Sequence, residues 1–161
     1  PVKEAYFAGG CFWGVEYYME QAEGVLDVTS GYTGGRTENP SYEQVCSGKT
    51  GHVETVRVRY DPLVTDYETL ARLFFEIHDP TQSDGQGPDI GAQYLSVVFY
   101  STLEEKSVAQ GLIQQLKARG IKVATQFRQA EVFYPAESYH QDYYRKTGKH
   151  PYCHSRVHRF D

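Results

Sequence analysis

Cysteine is scarce in this chain of 161 residues: Cys11, Cys46 and Cys153 are the whole set, and no two have Cys-x-x-Cys spacing. An odd number excludes a fully paired disulfide framework within one chain. His150, Cys153, His154 and His158 cluster near the end, but they match no familiar ligand spacing, so no metal site is expected. No apolar run approaches the roughly 20 residues of a membrane-spanning helix, and no membrane contact is expected. No signal-peptide pattern opens the chain. Pro1 has no Met before it, which fits a processed start or a domain excised from a longer, exported fusion. The net charge is −5 and no basic block is present, which argues against a nucleic-acid partner.

What is present suits one globular domain over residues 1–161, with 40% hydrophobic and 23% charged residues. There is no internal repeat and no dividing linker. Val2–Ala8 reads as a buried strand stopped by Gly9-Gly10. Phe12, Val15, Met19 and Ala22 then recur at helical spacing to about Gln21. Leu26, Val28 and Tyr32 alternate with polar residues as a second strand. His52–Tyr60 is a third strand, ended by Asp61-Pro62. Leu70, Leu73, Phe74 and Ile77 predict an amphipathic helix. Tyr94–Tyr100 is the fourth strand. Thr102 and Glu105 form a capping-box pattern for a helix to Arg119, with Val108, Leu112 and Leu116 on its apolar face. A short apolar segment, Glu131–Tyr134, precedes a Tyr-rich tail. The order βαββαβ predicts an α+β fold, the ferredoxin-like plait, with long loops and a C-terminal extension. The loops Thr33–Gly51 and His78–Gln93 exceed what connectivity needs, and they are where substrate contacts are expected.

Cys11 sits at a strand-to-helix junction. Backbone N–H groups and the positive helix end there favour thiolate over thiol, which makes a nucleophile. A buried, inert cysteine would need no double glycine beside it. Phe12 fits a core face or a pocket wall equally well, whereas Trp13 falls off the apolar stripe and is expected to face a pocket. Glu54 shares a strand face with Val56, Val58 and Tyr60, while Thr55, Arg57 and Arg59 take the other. A carboxyl on an apolar face should have a raised pKa and hold a proton near neutrality. The alternative is pairing with a cation such as Lys49. Ser47-Gly48-Lys49-Thr50 is no phosphate loop, because Glu43 stands where its first Gly belongs and the run leads into a strand.

These residues resemble a known family, the A-type peptide methionine sulfoxide reductases. The resemblance rests on Gly10-Cys11-Phe12-Trp13-Gly14, Tyr42–Gly48, Gly51-His52-Val53-Glu54, Asp89–Tyr94 and Ser138-Tyr139-His140-Gln141, and covers nearly the whole chain. It implies attack of Cys11 on a sulfoxide sulfur, giving methionine and a cysteine sulfenic acid. Glu54 would give a proton to the oxygen, with Tyr42, Asp89 and Tyr94 on the polar side. Phe12 and Trp13 would hold the methyl group and select the S epimer. His140 would play a supporting role. Cys153 would resolve the sulfenic acid as a disulfide, which thioredoxin or another dithiol reduces, while Cys46 would be structural. The stretch after Cys153 holds no glycine, and Val157 and Phe160 would anchor it. Free or protein-bound methionine sulfoxide is the implied substrate, with no cofactor, a monomeric state and the cytoplasm as expectations. Two rivals are a cysteine hydrolase pairing Cys11 with a histidine such as His140, and a non-enzymatic binding module.

Overall fold

A computed structural model describes residues 1–152 and 154–160. The architecture is mixed α/β around a central sheet. The strands are β1 (Lys3–Gly9), β2 (Val25–Thr33), β3 (Val53–Tyr60), β4 (Gly85–Gln86), β5 (Asp89–Ile90), β6 (Ser96–Tyr100), β7 (Gln126–Gln129) and β8 (Tyr134–Pro135). The helices are α1 (Phe12–Glu20), α2 (Tyr42–Cys46), α3 (Tyr67–Ile77), α4 (Leu103–Ala118) and α5 (Tyr143–Thr147), with single 3-10 turns at Ala92–Tyr94 and Ser138–His140. The main sheet runs β7-β6-β1-β3-β2-β8, and β4 and β5 form a separate two-stranded sheet. Neighbours among the central four strands pair antiparallel; β7 joins β6 in parallel.

Alternation on these strands sorts residues between two faces. Ala5, Phe7, Val56, Val58 and Val98 belong to one large core with Phe12, Val15 and Met19 of α1, the α3 residues Leu70, Phe74 and Ile77, and Leu112 and Leu116 of α4. Each such large side chain contributes about 1.5–3 kcal/mol by leaving water. The other face carries a smaller cluster of Ala8, Val53, Val97 and Phe99. Arg59 there bonds Glu4 at 2.8 Å across the β1–β3 pair.

One expectation needs correction. The strand expected at Tyr94–Tyr100 starts at Ser96, opposite Gly9, because β1 ends there and leaves Tyr94 nothing to pair with. Tyr94 closes a 3-10 turn instead, its N–H donating to the Gly91 carbonyl at 3.1 Å. Val108 packs against the core while staying partly exposed, and the apolar face of α4 also includes Ala109 and Ile113 beside Leu112 and Leu116. The apolar segment Glu131–Tyr134 links β7, which ends at Gln129, to β8, which starts at Tyr134. The first long loop contains α2, capped at Ser41 by reciprocal hydrogen bonds with Gln44 at 3.2 and 2.9 Å.

Candidate active site

Cys11 is the N-cap residue of α1 and is buried. Gly10, just before it, has φ +95, a conformation side chains rarely adopt, and this lets β1 turn sharply into the helix. The helix amide next to the sulfur is engaged elsewhere. Phe12 N–H donates to Glu54 Oε1 at 3.2 Å, so one of the amides expected at the sulfur holds the candidate acid instead.

Glu54 reaches that amide because β3 lies directly beside β1 and its even-numbered residues face the helices. It is 1% exposed, and among the described residues it forms no ion pair; Lys49 is exposed. Its Oε2 is buried with no hydrogen-bond partner among those residues. Burial pushes its pKa up to about 8, against the Phe12 N–H and with help from the Asp89 charge. At neutral pH the carboxyl therefore carries a proton.

The two long loops bring the tyrosines to this acid. Tyr42 opens α2 and Tyr94 ends the turn after β5. Burial, with the Glu54 charge among the further contributions, raises the pKa of both phenols, which leaves them hydrogen-bond donors. Tyr94 also senses Asp89 and Cys11. Asp89 lies on β5 and accepts from Tyr152 Oη at 2.7 Å. Cys46, at the end of α2, is exposed and lies against Tyr42, and burial of its sulfur raises its pKa.

An aromatic wall closes the other side. Phe12 is 1% exposed and packs on Tyr32 and His140, with centroids 5.6 and 5.1 Å away. Trp13 is half-buried and stacks on Tyr143 at 3.7 Å with the planes 7° apart. Its indole N–H donates to His140 Nδ1 at 3.0 Å, which fixes the His140 proton on Nε2. Burial lowers the His140 pKa, so the ring is neutral. It also meets Tyr42 at 4.3 Å, linking the aromatic wall to the polar side.

The structure thus gathers Cys11, Phe12, Trp13, Tyr42, Glu54, Asp89, Tyr94 and His140 in one region. Cys153 lies outside the described residues. Glu137 escaped sequence reasoning: Oε1 accepts from Tyr32 Oη and Oε2 from Tyr42 N–H, both at 2.9 Å. Burial works against this carboxylate, but those bonds outweigh it and hold its pKa below the usual value. Tyr143 also escaped notice. Neither carries a local signal, since an acid in a polar tail and one tyrosine among many look ordinary.

A family model described as peptide methionine sulfoxide reductase matches residues 3–161. A relative from Nautilia profundicola named peptide methionine sulfoxide reductase MsrA is 48% identical over 150 residues, covering 93% of this chain and 87% of the relative. The reduced form of Mxr1 from Saccharomyces cerevisiae superposes with a TM-score of 0.88 at 36% identity, over 96% of this chain and 92% of that one. Methionine sulfoxide reductase A of Corynebacterium diphtheriae gives 0.82 at 32% identity, over 91% and 76% of the two chains.

Proposed function

The chain belongs to the peptide methionine sulfoxide reductase family, and we propose how its own residues carry out that reduction. The activity is the conversion of methionine sulfoxide to methionine, an oxidoreductase reaction. Cys11 Sγ attacks the sulfoxide sulfur. As the S–O bond weakens, negative charge gathers on oxygen, and Glu54 supplies a proton from the oxygen of its carboxyl that the Phe12 amide does not hold. Tyr42 and Tyr94 donate hydrogen bonds to the same oxygen, the arrangement that stabilises developing charge most effectively in a site shielded from water. Asp89 completes the polar side. Phe12 and Trp13 receive the methyl group, and their fixed placement opposite the acid selects the S epimer.

The observation that carries this reading is the hydrogen bond from Phe12 N–H to Glu54 Oε1. It ties a protonated carboxyl to the residue following the nucleophile while Oε2 stays unpartnered. His140 orients Trp13 and serves only as support. Cys153 resolves the Cys11 sulfenic acid, and a dithiol such as thioredoxin reduces the disulfide. Cys46 takes no part in turnover. No organic cofactor or metal enters this scheme, because thiols supply both electrons.

The core arrangement is read as a ferredoxin-like plait, supported by the antiparallel order β6-β1-β3-β2 with α1 and α3 as its crossovers. Residues 1–161 form one catalytic domain acting as a monomer on free or protein-bound methionine sulfoxide. The cytoplasm suits an enzyme that depends on reduced thiols. No helix among the described residues is long and apolar enough to cross a membrane.

The test is Cys11→Ser, assayed with each sulfoxide epimer and dithiothreitol. Methionine formation should vanish for the S epimer and be absent for the R epimer in the parent enzyme. Retained activity without the thiol would remove Cys11 from the scheme.

A further inference from the structure

The segment after position 153 is bound to the nucleophile's own loop. His154 is 4% exposed, and its Nε2–H donates to the Gly9 carbonyl at 2.7 Å. Its ring fills the space above Gly14, where an added Cβ would lie 2.2 Å from Nδ1. The His154 carbonyl accepts from Tyr18 Oη at 3.3 Å. One side chain therefore contacts the chain on both sides of Cys11, before it at Gly9 and after it at Gly14.

Further anchors hold the same segment. Buried Glu76 accepts from Arg156 Nη2 at 2.9 Å and from Arg159 N–H at 3.1 Å, and its carbonyl accepts from Val157 N–H at 2.7 Å. On the other side of position 153, Tyr152 is bonded to Asp89. Glu76 grips the tail from α3. His154, the residue after position 153, is joined directly to the strand-helix junction that carries Cys11.

We infer that His154 is a positioning residue for the resolving step: it seats the segment that follows position 153 on Gly9–Gly14, which makes capture of the Cys11 sulfenic acid a local encounter. The inference rests on the reading of Cys153 as the resolving thiol. In that step the Cys153 sulfur attacks the Cys11 sulfenic sulfur. An S–S bond forms, the S–O bond breaks, and the oxygen leaves as water with the thiol proton. A dithiol reductant later returns two electrons and two protons. Holding two reacting groups on one scaffold replaces a search with a local encounter, which accelerates bond formation without new chemistry. Burial lowers the His154 pKa, which keeps the ring neutral and its single N–H committed to the Gly9 carbonyl.

The test follows the two steps separately after mixing reduced enzyme with one equivalent of free methionine S-sulfoxide. Quenched samples report methionine formed, free thiols lost, and sulfenic acid trapped by a 1,3-dicarbonyl reagent. His154→Ala should form methionine at the parent rate while disulfide formation slows about 10-fold or more and trapped sulfenic acid rises. His154→Gln, which keeps an N–H donor of similar reach, should recover most of the rate. Gly14→Ala places a methyl where the ring sits and should slow disulfide formation as His154→Ala does. Parent disulfide rates in both His154→Ala and Gly14→Ala would overturn the inference, as would equal slowing of both steps. If Cys153→Ser still loses two thiols per turnover, the reading of Cys153 fails instead, a result distinct from the other two.

Discussion

The backbone N–H of Phe12, the first residue of α1, donates to the carboxyl of Glu54 on β3 at 3.2 Å, so the acid is registered to the residue beside Cys11. Any movement of the helix start moves acid and sulfur together, which keeps the proton donor aligned with the attacked S–O bond.

That link gives the first expectation. With a pKa of about 8, Glu54 is protonated at neutral pH and loses its proton as pH rises further. The single-turnover rate of methionine formation should fall above about pH 8. Glu54→Gln should lower that rate by about 100-fold or more and abolish the descending limb. Stopped measurements of methionine against pH check both; an unchanged limb in the variant would assign it to another group.

The same group affects stability. Its folded pKa lies above its unfolded value of 4.5, so its contribution is fully present below pH 4.5 and is lost as pH rises through about 8. Glu54→Gln has no carboxylate to bury. Its stability relative to the parent should rise across this window, by something on the order of a few kcal/mol at the alkaline end. Urea unfolding at pH 5 and pH 9 reads the difference.

Trp13 is held by a stack on Tyr143 and by its bond to His140. Trp13→Phe removes the indole N–H but keeps a ring, which should cost about 1 kcal/mol in substrate affinity. Trp13→Ala removes the wall itself and should raise KM by roughly 10-fold or more. Steady-state kinetics on a small peptide sulfoxide distinguish the two.

Glu137 holds the Tyr42 amide and the Tyr32 hydroxyl. Glu137→Ala leaves both donors without an acceptor and should destabilise the fold by about 1–3 kcal/mol, with a loss of kcat as Tyr42 shifts. Glu137→Gln retains one acceptor oxygen and should lose less. Chemical denaturation alongside kcat separates the two effects.

For recovery of the enzyme, Cys153→Ser should stop turnover supported by thioredoxin while sparing one methionine per enzyme. Cys46→Ser should leave turnover intact. A burst assay with thiol counting reads both, and sustained turnover in Cys153→Ser would name another thiol.

Much of this site was legible in the chain because its signals are local. Gly9-Gly10 before a helical stripe places Cys11 at a helix start, and two-residue alternation places Glu54 with Val56 and Val58. The capping pattern at Thr102 marked a helix start, and its side chain accepts from Glu105 N–H at 3.1 Å. Tyr94 shows where local reading fails. Its run looks like a strand, but strand formation needs a partner, and the partner strand stops at Gly9.

The sequence by itself determined the chemistry at hand: a cysteine at a helix start, a carboxyl on an apolar face and two long loops, one carrying Tyr42 and the other Asp89. Only the tertiary structure decided how they meet. Phe12 and Glu54 are 42 residues apart, Tyr42 and Glu137 95, Trp13 and His140 127, and Gly9 and His154 145. Helical and strand periodicities act over a few residues, whereas these contacts depend on strand order and on the C-terminal segment wrapping back over α1. Cys11 could be recognised as a nucleophile from its neighbours in sequence; which amide holds its acid is set by its neighbours in space.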